Sequence, residues 1–267
     1  MLALETIFWI AAGLVVYTLV GYPLLTLILA IIVRKRVDKK SITPKVSFII
    51  AAYNEEKVIA EKIHQTLKLD YPAEQLEIIV ASDGSTDRTD EIVRSFADHG
   101  VKLYRAEGRK GKTNAQNGAV SVANGDIVIF SDSTGIYNRR AIHELVDNFN
   151  DPTIGCVTGR VAYSYGKDAA STGFKGYQKI AVAIRRAESS FGSQTSASGS
   201  IHAIRRQLYI PAKPAFSLDV IDPVHTTIQG YRTVYENQAV SLEESRTSLK
   251  DEFRSRVRIS VRGIPLI

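Results

Sequence analysis

The sequence predicts an α/β fold: an open, mostly parallel sheet with helices on its faces, held behind one N-terminal transmembrane helix. Three observations lead there. No residue from Thr6 to Val33 is charged. From Val46 onward, short apolar runs of strand length alternate with stretches of helical spacing. Polar clusters follow three of these runs directly: Tyr53-Asn-Glu-Glu56, Ser82-Asp-Gly-Ser85 and Ser131-Asp-Ser-Thr134. Ligands of open α/β sheets sit beyond the carboxyl ends of the strands, so the three clusters are expected to share one crevice.

The apolar run reaches roughly 40 Å as a helix, longer than the ~30 Å hydrocarbon core. Gly21 and Pro23 predict a kink or tilt within it. Arg34, Lys35, Arg36, Lys39 and Lys40 follow, while only Glu5 precedes. The positive-inside rule then expects a single-pass protein of the cell membrane, with everything after Arg34 in the cytoplasm. A cleaved signal peptide would need its basic cluster before a shorter apolar core. Residues 6–33 are read as the anchor, 34–44 as a basic juxtamembrane linker and 45–241 as the catalytic domain. Residues 242–267 are read as an amphipathic interfacial helix and tail.

Within the domain, Val46–Ala52 reads as the first strand, and Val58, Ile59, Ile63 and Leu67 mark a helix over Glu55–Leu69. Leu76–Ala81 is a second strand, closed by the turn Asp83-Gly-Ser-Thr-Asp87, which caps a helix over Asp90–Ala97. Val101–Ala106 is a third strand, Asn114–Val122 a small-residue helix and Ile127–Phe130 a fourth strand. After Thr153 the alternation weakens.

Composition narrows the function. With 45% hydrophobic and 23% charged residues the 267-residue chain is foldable. The single cysteine, Cys156, excludes an intrachain disulfide and a cysteine-based zinc cluster, and fits a reducing compartment. The net charge of +6 suits an anionic partner. No interleaved basic-aromatic surface motif points to nucleic acid.

Taken singly, Asp83 reads as a turn residue, Asp132 as a loop or cap residue and Lys112 as a solvated base. Order and spacing together say more. Val46-Ser-Phe-Ile-Ile-Ala-Ala-Tyr-Asn-Glu-Glu56, Ile79-Val-Ala-Ser-Asp-Gly-Ser-Thr-Asp87, Gly111-Lys-Thr-Asn-Ala-Gln-Asn-Gly-Ala119 and Gly125-Asp-Ile-Val-Ile-Phe-Ser-Asp132 resemble the donor-binding half of family 2 glycosyltransferases. The resemblance covers roughly residues 44 to 260. It implies the A-type glycosyltransferase fold, a Rossmann-like α/β sheet, and inverting transfer of a sugar from a nucleotide sugar, a UDP-sugar by family expectation. The acceptor would be a glycan or a lipid-linked glycan, with no nucleic acid as partner.

The resemblance also assigns roles. Ala52, Tyr53 and Glu55 match the donor-nucleoside contacts after the first strand, and Asp83 matches the base-binding aspartate. A carboxylate there accepts the ring N–H of a uracil-like base. Lys112 matches the basic position that neutralises phosphate charge. Asp132 and Thr134 stand where the family places Asp-x-Asp, holding a divalent cation, Mg2+ or Mn2+. Thr134 departs from that pattern, since it offers a hydroxyl in place of the second carboxylate.

Ser198-Gly-Ser-Ile-His-Ala-Ile-Arg-Arg206 resembles the acceptor-side segment, which implicates Gly199, Arg205 and Arg206. Alignment through Pro223 and Gly230 puts Asp219 at the catalytic base, with Leu218 in place of the preceding acid. Asp222, the alternative base, falls where the family is usually apolar. Leu242, Leu249, Phe253 and Val257 give Glu243–Ile259 an amphipathic spacing. There Arg258 keeps one residue of the Gln-x-x-Arg-Trp motif of processive relatives. Two readings follow: an active membrane-bound transferase, or a truncated or degenerate relative that binds nucleotide without turnover.

Overall fold

The computed structural model describes residues 2–164, 169–244 and 257. Helix α1, Leu2–Ile32, is long and apolar enough to cross a membrane. Where Gly21 and Pro23 predict a kink or tilt, a π-helical turn spans Tyr17–Gly21, just ahead of Pro23. Large apolar side chains along α1, including Trp9, Leu19 and Ile31, are exposed. The second half of α1 packs on helix α6, Ala169–Phe191. There the Tyr22 hydroxyl donates to Glu188 Oε1, and the Lys35 N–H donates to the Ser190 carbonyl at 2.6 Å.

The segment after α1 has no regular secondary structure, yet it is fastened to the domain. Lys39 Nζ lies between Glu144 Oε2 at 2.7 Å and Glu236 Oε2 at 2.9 Å. The Ile42 and Asp38 N–H groups donate to Asp147 Oδ1 and Asp151 Oδ2. Val37 and Ile42 pack on the core. Residues 34–44 therefore form a strap rather than a free linker.

The domain is an eight-stranded mixed sheet in the order β3-β2-β1-β4-β7-β6-β8-β5. The parallel half holds β1 (Val46–Ala52), β2 (Leu76–Ser82), β3 (Val101–Arg105) and β4 (Ile127–Asp132). Helices α2 (Ile59–Leu67), α3 (Thr89–Arg94) and α4 (Lys112–Ser121) connect them. All seven residues of β1 are buried, which is why the strand reads as a continuous apolar run and not as an alternating one. Phe48, Ile50, Ile78 and Ile129 pack on one face with Ile59 and Ile63 of α2 and with Ile142 and Leu145 of α5 (Ala141–Val146). Ile49, Ile79, Val128 and Phe130 pack on the other face with Ala115 and Ala119 of α4. Leu218 and Ile221 of α7 (Leu218–Ile228) join them.

The second half departs from the parallel pattern. β7 (Ile201–Arg205) runs antiparallel to both β4 and β6 (Ile154–Ser164). β8 (Arg232–Glu244) pairs parallel with β6, and the short β5 (Ile136–Tyr137) closes that edge. β6 and β8 are long and bear partly exposed polar residues, so the alternation seen in the first half is lost. Several expected boundaries shift: the helix expected over Asp90–Ala97 ends at Arg94, and the one expected from Asn114 starts at Lys112. The helix foreseen from Glu55 starts at Ile59, because Asn54 adopts a left-handed φ of 54° and the following residues form a turn. β8 continues through Glu244, past the expected domain boundary at 241. Glu243 and Glu244 are thus strand, not the start of an amphipathic helix. Val257 is helical, and the rest of that segment, with Arg258, lies outside the described residues.

Gly125, just ahead of β4, fits against the β1 backbone. A Cβ there would stand 2.4 Å from Ser47 N and 2.7 Å from Val46 C. Neither atom belongs to a side chain that can turn aside. Gly125→Ala should therefore destabilise the chain by roughly 2–3 kcal/mol. The melting temperature of the detergent-solubilised chain should fall by about 5–10 °C. An unchanged melting temperature would show that β1 yields.

Candidate active site

β1 pairs with β2 on one side and β4 on the other, with Ala52 opposite Ser82 and Ala51 opposite Asp132. Helix α2, between β1 and β2, and helix α4, between β3 and β4, cover opposite faces of the sheet, so a crevice opens at these strand ends. The three polar clusters line it, as their positions after the strands predict.

One side is built from two interlocked turns. The Ala52 carbonyl accepts the Asp83 N–H at 3.0 Å. Asn54 Oδ1 accepts the Thr86 N–H at 2.8 Å, and the Glu55 N–H donates to Thr89 Oγ1 at 2.8 Å. Ser82 Oγ and Arg105 Nε both bond Asp90 from beneath. Asp83 is buried, and its carboxylate accepts the N–H groups of Lys110 at 2.9 Å and Gly111 at 2.9 to 3.0 Å. Gly84 permits the approach. It has φ of 68°, and a Cβ on it would lie 2.7 Å from the Gly108 backbone. The Arg109 guanidinium covers the Tyr53 ring at 4.3 Å. Asp83, Tyr53 and the 108–111 loop are thus gathered at the end of β2, with the Asp83 carboxylate among them.

The other side is a compact charge cluster. Lys112, the first residue of α4, bonds Asp132 Oδ1, and its Nζ lies 3.5 Å from the Gly199 carbonyl. Ser200 Oγ donates to Asp132 Oδ2 at 3.1 Å. Gly199 abuts Asp219: a Cβ at this position would lie 3.2 Å from Asp219 Oδ2 and 3.8 Å from Lys112 Nζ. Thr113 Oγ1 and Asn117 Nδ2 donate to the Phe216 and Ala212 carbonyls, tying α4 to the segment that leads into α7. Asp219 stands in the first turn of α7, and its Oδ1 is buried with no hydrogen-bond partner among the described residues. A buried carboxylate oxygen with a free lone pair is equipped to accept a proton.

Glu55 joins this side through a hydrogen bond with Ser133. Burial pushes its carboxyl up from the ordinary value, the Ser133 bond opposes that, and the Asp132 and Asp87 charges add to it. Thr134 is exposed at the end of the loop.

The structure separates the other expected residues from this cluster. Because β7 runs antiparallel to β4, Ile201 lies beside Ser131 and Arg205 beside Ile127. That places the basic pair about 14 Å away, at the opposite end of the sheet. Arg205 donates to the carbonyls of Ile154, Phe149 and Asp151, and Arg206 donates to that of Gly125. They staple the back of the sheet, so the acceptor-side expectation for Arg205 and Arg206 is corrected. The 180 Å³ cavity they line with Ile42 and Pro44 is at that same far end. Leu218 is buried in the core, and Asp222 points inward to His202 at 3.0 Å.

Three participants escape the sequence reading. Ser200 and Tyr137 brace the cluster: Tyr137 Oη donates to the Ser200 carbonyl at 2.5 Å. Lys62 is buried beneath it, its Nζ bonding the Gly135 carbonyl and standing 4.4 Å from the centre of the Tyr137 ring. The signal for Lys62 was a lysine four residues after Val58, on the apolar stripe of its helix. Burial holds its ammonium down to about 7, against the opposing pull of Asp132 and Glu243.

Comparison with known proteins adds to this geometry. Residues 47–210 match the family described as glycosyl transferase family 2. The chain is 37% identical over 123 residues to "Probable glycosyltransferase YdaM" of Bacillus subtilis (strain 168), covering 44% of this chain and 29% of that protein. It is 30% identical over 156 residues to a poly-beta-1,6-N-acetyl-D-glucosamine synthase of Staphylococcus epidermidis, covering 58% and 36%. The Staphylococcus aureus (strain COL) synthase is 25% identical over 224 residues, covering 80% and 53%. The chain therefore spans about a third to a half of the curated relatives it matches. Among solved structures, the mannosyltransferase PcManGT from Pyrobaculum calidifontis, in complex with GDP-Man and Mn2+, superposes with a TM-score of 0.77. Identity there is 26%, over 92% of this chain and 71% of that one. S. aureus TarS 1-349 in complex with UDP-GlcNAc shares the fold at a TM-score of 0.58 and 19% identity, over 76% and 59%.

The low value at Lys62 has a direct consequence. An unfolded lysine holds its proton up to the ordinary value of 10.5, whereas the folded one releases it near 7. Between those values the unfolded chain binds the extra proton, so stability rises with pH across that window. The melting temperature of the unaltered chain should climb relative to Lys62→Met from about pH 7 to about pH 10. Parallel curves would refute a depressed Lys62.

Proposed function

The chain belongs to glycosyl transferase family 2 and has its A-type fold, and from that premise we propose that it is a membrane-bound, inverting glycosyltransferase. The observation that carries this reading is the convergence of Lys112, Asp132, Gly199 and Asp219 at the strand ends, beside the Asp83 turn.

The donor is a nucleotide sugar, taken here as a UDP-sugar. Its base sits beside Tyr53 and Asp83, where the carboxylate accepts the ring N–H. Ala52 and Glu55 shape the nucleoside side. Lys112 stabilises the negative charge that gathers on the diphosphate as it leaves. The acceptor, a glycan or lipid-linked hydroxyl, approaches past Gly199. Its oxygen bonds the anomeric carbon from the face opposite the diphosphate, the bond from that carbon to the diphosphate oxygen breaks, and Asp219 takes the hydroxyl proton. The position is inverted because the entering and leaving oxygens occupy opposite faces.

The fold family implies a divalent cation, Mg2+ or Mn2+. The donor set at the end of β4 is one carboxylate, Asp132, with the exposed hydroxyl of Thr134 nearby, and no cluster of three or more candidate ligands occurs among the described residues. One carboxylate, completed by substrate phosphates and water, matches the way magnesium is held at phosphate sites, so the residues fit. The cation would supply further charge neutralisation at the diphosphate. In this reading α1 is a membrane anchor, and the basic residues from Arg34 to Lys40 support a domain on the cytoplasmic side.

Release of nucleoside diphosphate from a panel of nucleotide sugars, measured on membranes containing the chain with magnesium, manganese or chelator, tests this. Asp219→Asn should lower metal-supported release by about a hundredfold or more. Silence on every donor with nucleotide binding retained would replace this reading with nucleotide binding without turnover, which Thr134 and the buried Leu218 favour.

A further inference from the structure

Asp222 and His202 are the most deeply buried pair of titratable side chains near the site, and nothing in the proposed chemistry uses them. Asp222 lies in the second turn of α7, and its side chain and that of His202 are each 1% exposed. Asp222 Oδ2 meets His202 Nε2 at 3.0 Å, and His202 Nδ1 meets the Ser198 carbonyl at 3.0 Å. A carbonyl only accepts, so Nδ1 carries a hydrogen. A second proton lies between Nε2 and Oδ2, and in either position it makes a hydrogen bond. The imidazole is held flat against Phe130, its cross-strand neighbour, at 4.9 Å.

The far end of this chain of bonds is the turn that organises the site. The Ser198 N–H donates to Thr158 Oγ1, and the Ala197 N–H donates to the Asp219 carbonyl at 2.6 Å. Gly199 touches Asp219 and offers its carbonyl to Lys112, and Ser200 bonds Asp132. Asp219 and Asp222 sit three residues apart on α7. The helix carrying the base is thus pinned to the turn at two points, once by its own backbone and once through Asp222 and His202.

Stability alone gives no reason for such a pair. Asp222 Oδ1 is buried without a partner among the described residues, which opposes folding. Well-packed apolar residues in place of a buried ion pair are often neutral or stabilising. Asp222 also occupies a position that the family resemblance leaves apolar.

We propose that Asp222 and His202 are positioning residues for sugar transfer: they fix the Ser198–Ser200 turn against α7 and thereby set the spacing of Asp219, Lys112 and Asp132. This rests on the transferase reading above. The pair does not touch substrate; it acts through the turn.

The test uses the full chain in membranes or detergent, with Asp222→Leu, Asp222→Asn, His202→Phe and the double variant Asp222→Leu/His202→Phe. Melting temperature, kcat, donor KM and hydrogen exchange at residues 197–200 are measured for each. The double variant should melt at or above the unaltered temperature, exchange faster at the turn and lose about tenfold to a hundredfold in kcat. Its donor KM should change little, because the Asp83 turn and its bonds to the 110–111 backbone are untouched. Asp222→Asn should keep most of the activity, since its amide N–H donates to Nε2 and preserves the brace. Full kcat and unchanged turn protection in the double variant would overturn the proposal, as would a loss in Asp222→Asn equal to that in Asp222→Leu. Silence of the unaltered chain on every donor counts instead against the transferase reading, while the exchange measurement still decides whether the pair fixes the turn.

Discussion

Parallel pairing of β1 with β2 on one flank and β4 on the other brings Ala52, Ser82 and Asp132 to one edge of the sheet. Everything in the crevice is referred to that edge. The Asp83 turn follows β2, the Glu55 turn follows β1, and Asp132 is the last residue of β4. Because side chains alternate along a strand, a slip of one residue in either pairing would send Asp132 or Ser82 to the wrong face. Burial on both faces prevents the slip, since Phe48 and Ile50 fit one helical layer while Ile49 fits the other.

Charge is buried around this edge in ways that oppose stability and serve geometry. Lys62 holds the loop after β4 through the Gly135 carbonyl, at the expense of a depressed ammonium. Asp222 and His202 link α7 to the Ser198 turn, with one carboxylate oxygen left unpaired. Apolar substitutes fill such space more cheaply, but they do not fix direction, and a site built from side chains on four elements needs direction more than it needs a few kcal/mol.

The strap after α1 gives that helix a mechanical relation to the domain. Lys39 is gripped by Glu144 and Glu236, and these bonds keep its ammonium protonated by raising its pKa against the effect of burial. Tyr22 and Lys35 reach α6. The domain is therefore attached to α1 along a line of contacts, not through a swivel, and a membrane-bound acceptor would meet a crevice of restricted orientation.

The sequence by itself determined the parallel half of the fold and the long apolar N-terminal helix, because those depend on signals local to a segment. A doubly buried strand must be a continuous apolar run, an anchor must be long and uncharged, and turns after strands require Asp, Gly and Ser. Asp83, Lys112, Asp132 and Asp219 were singled out through the resemblance of the segments that carry them to family 2 glycosyltransferases. Tertiary structure decided the rest. Only the antiparallel direction of β7 shows that Gly199 belongs to the cluster while Arg205 and Arg206, a few residues on, lie at the far end. Only packing shows that Lys62 faces inward and that His202 meets Asp222, twenty residues away on another element. A segment's own periodicity records whether it is buried, but strand direction and side-chain partnership are set by contacts between segments distant in sequence.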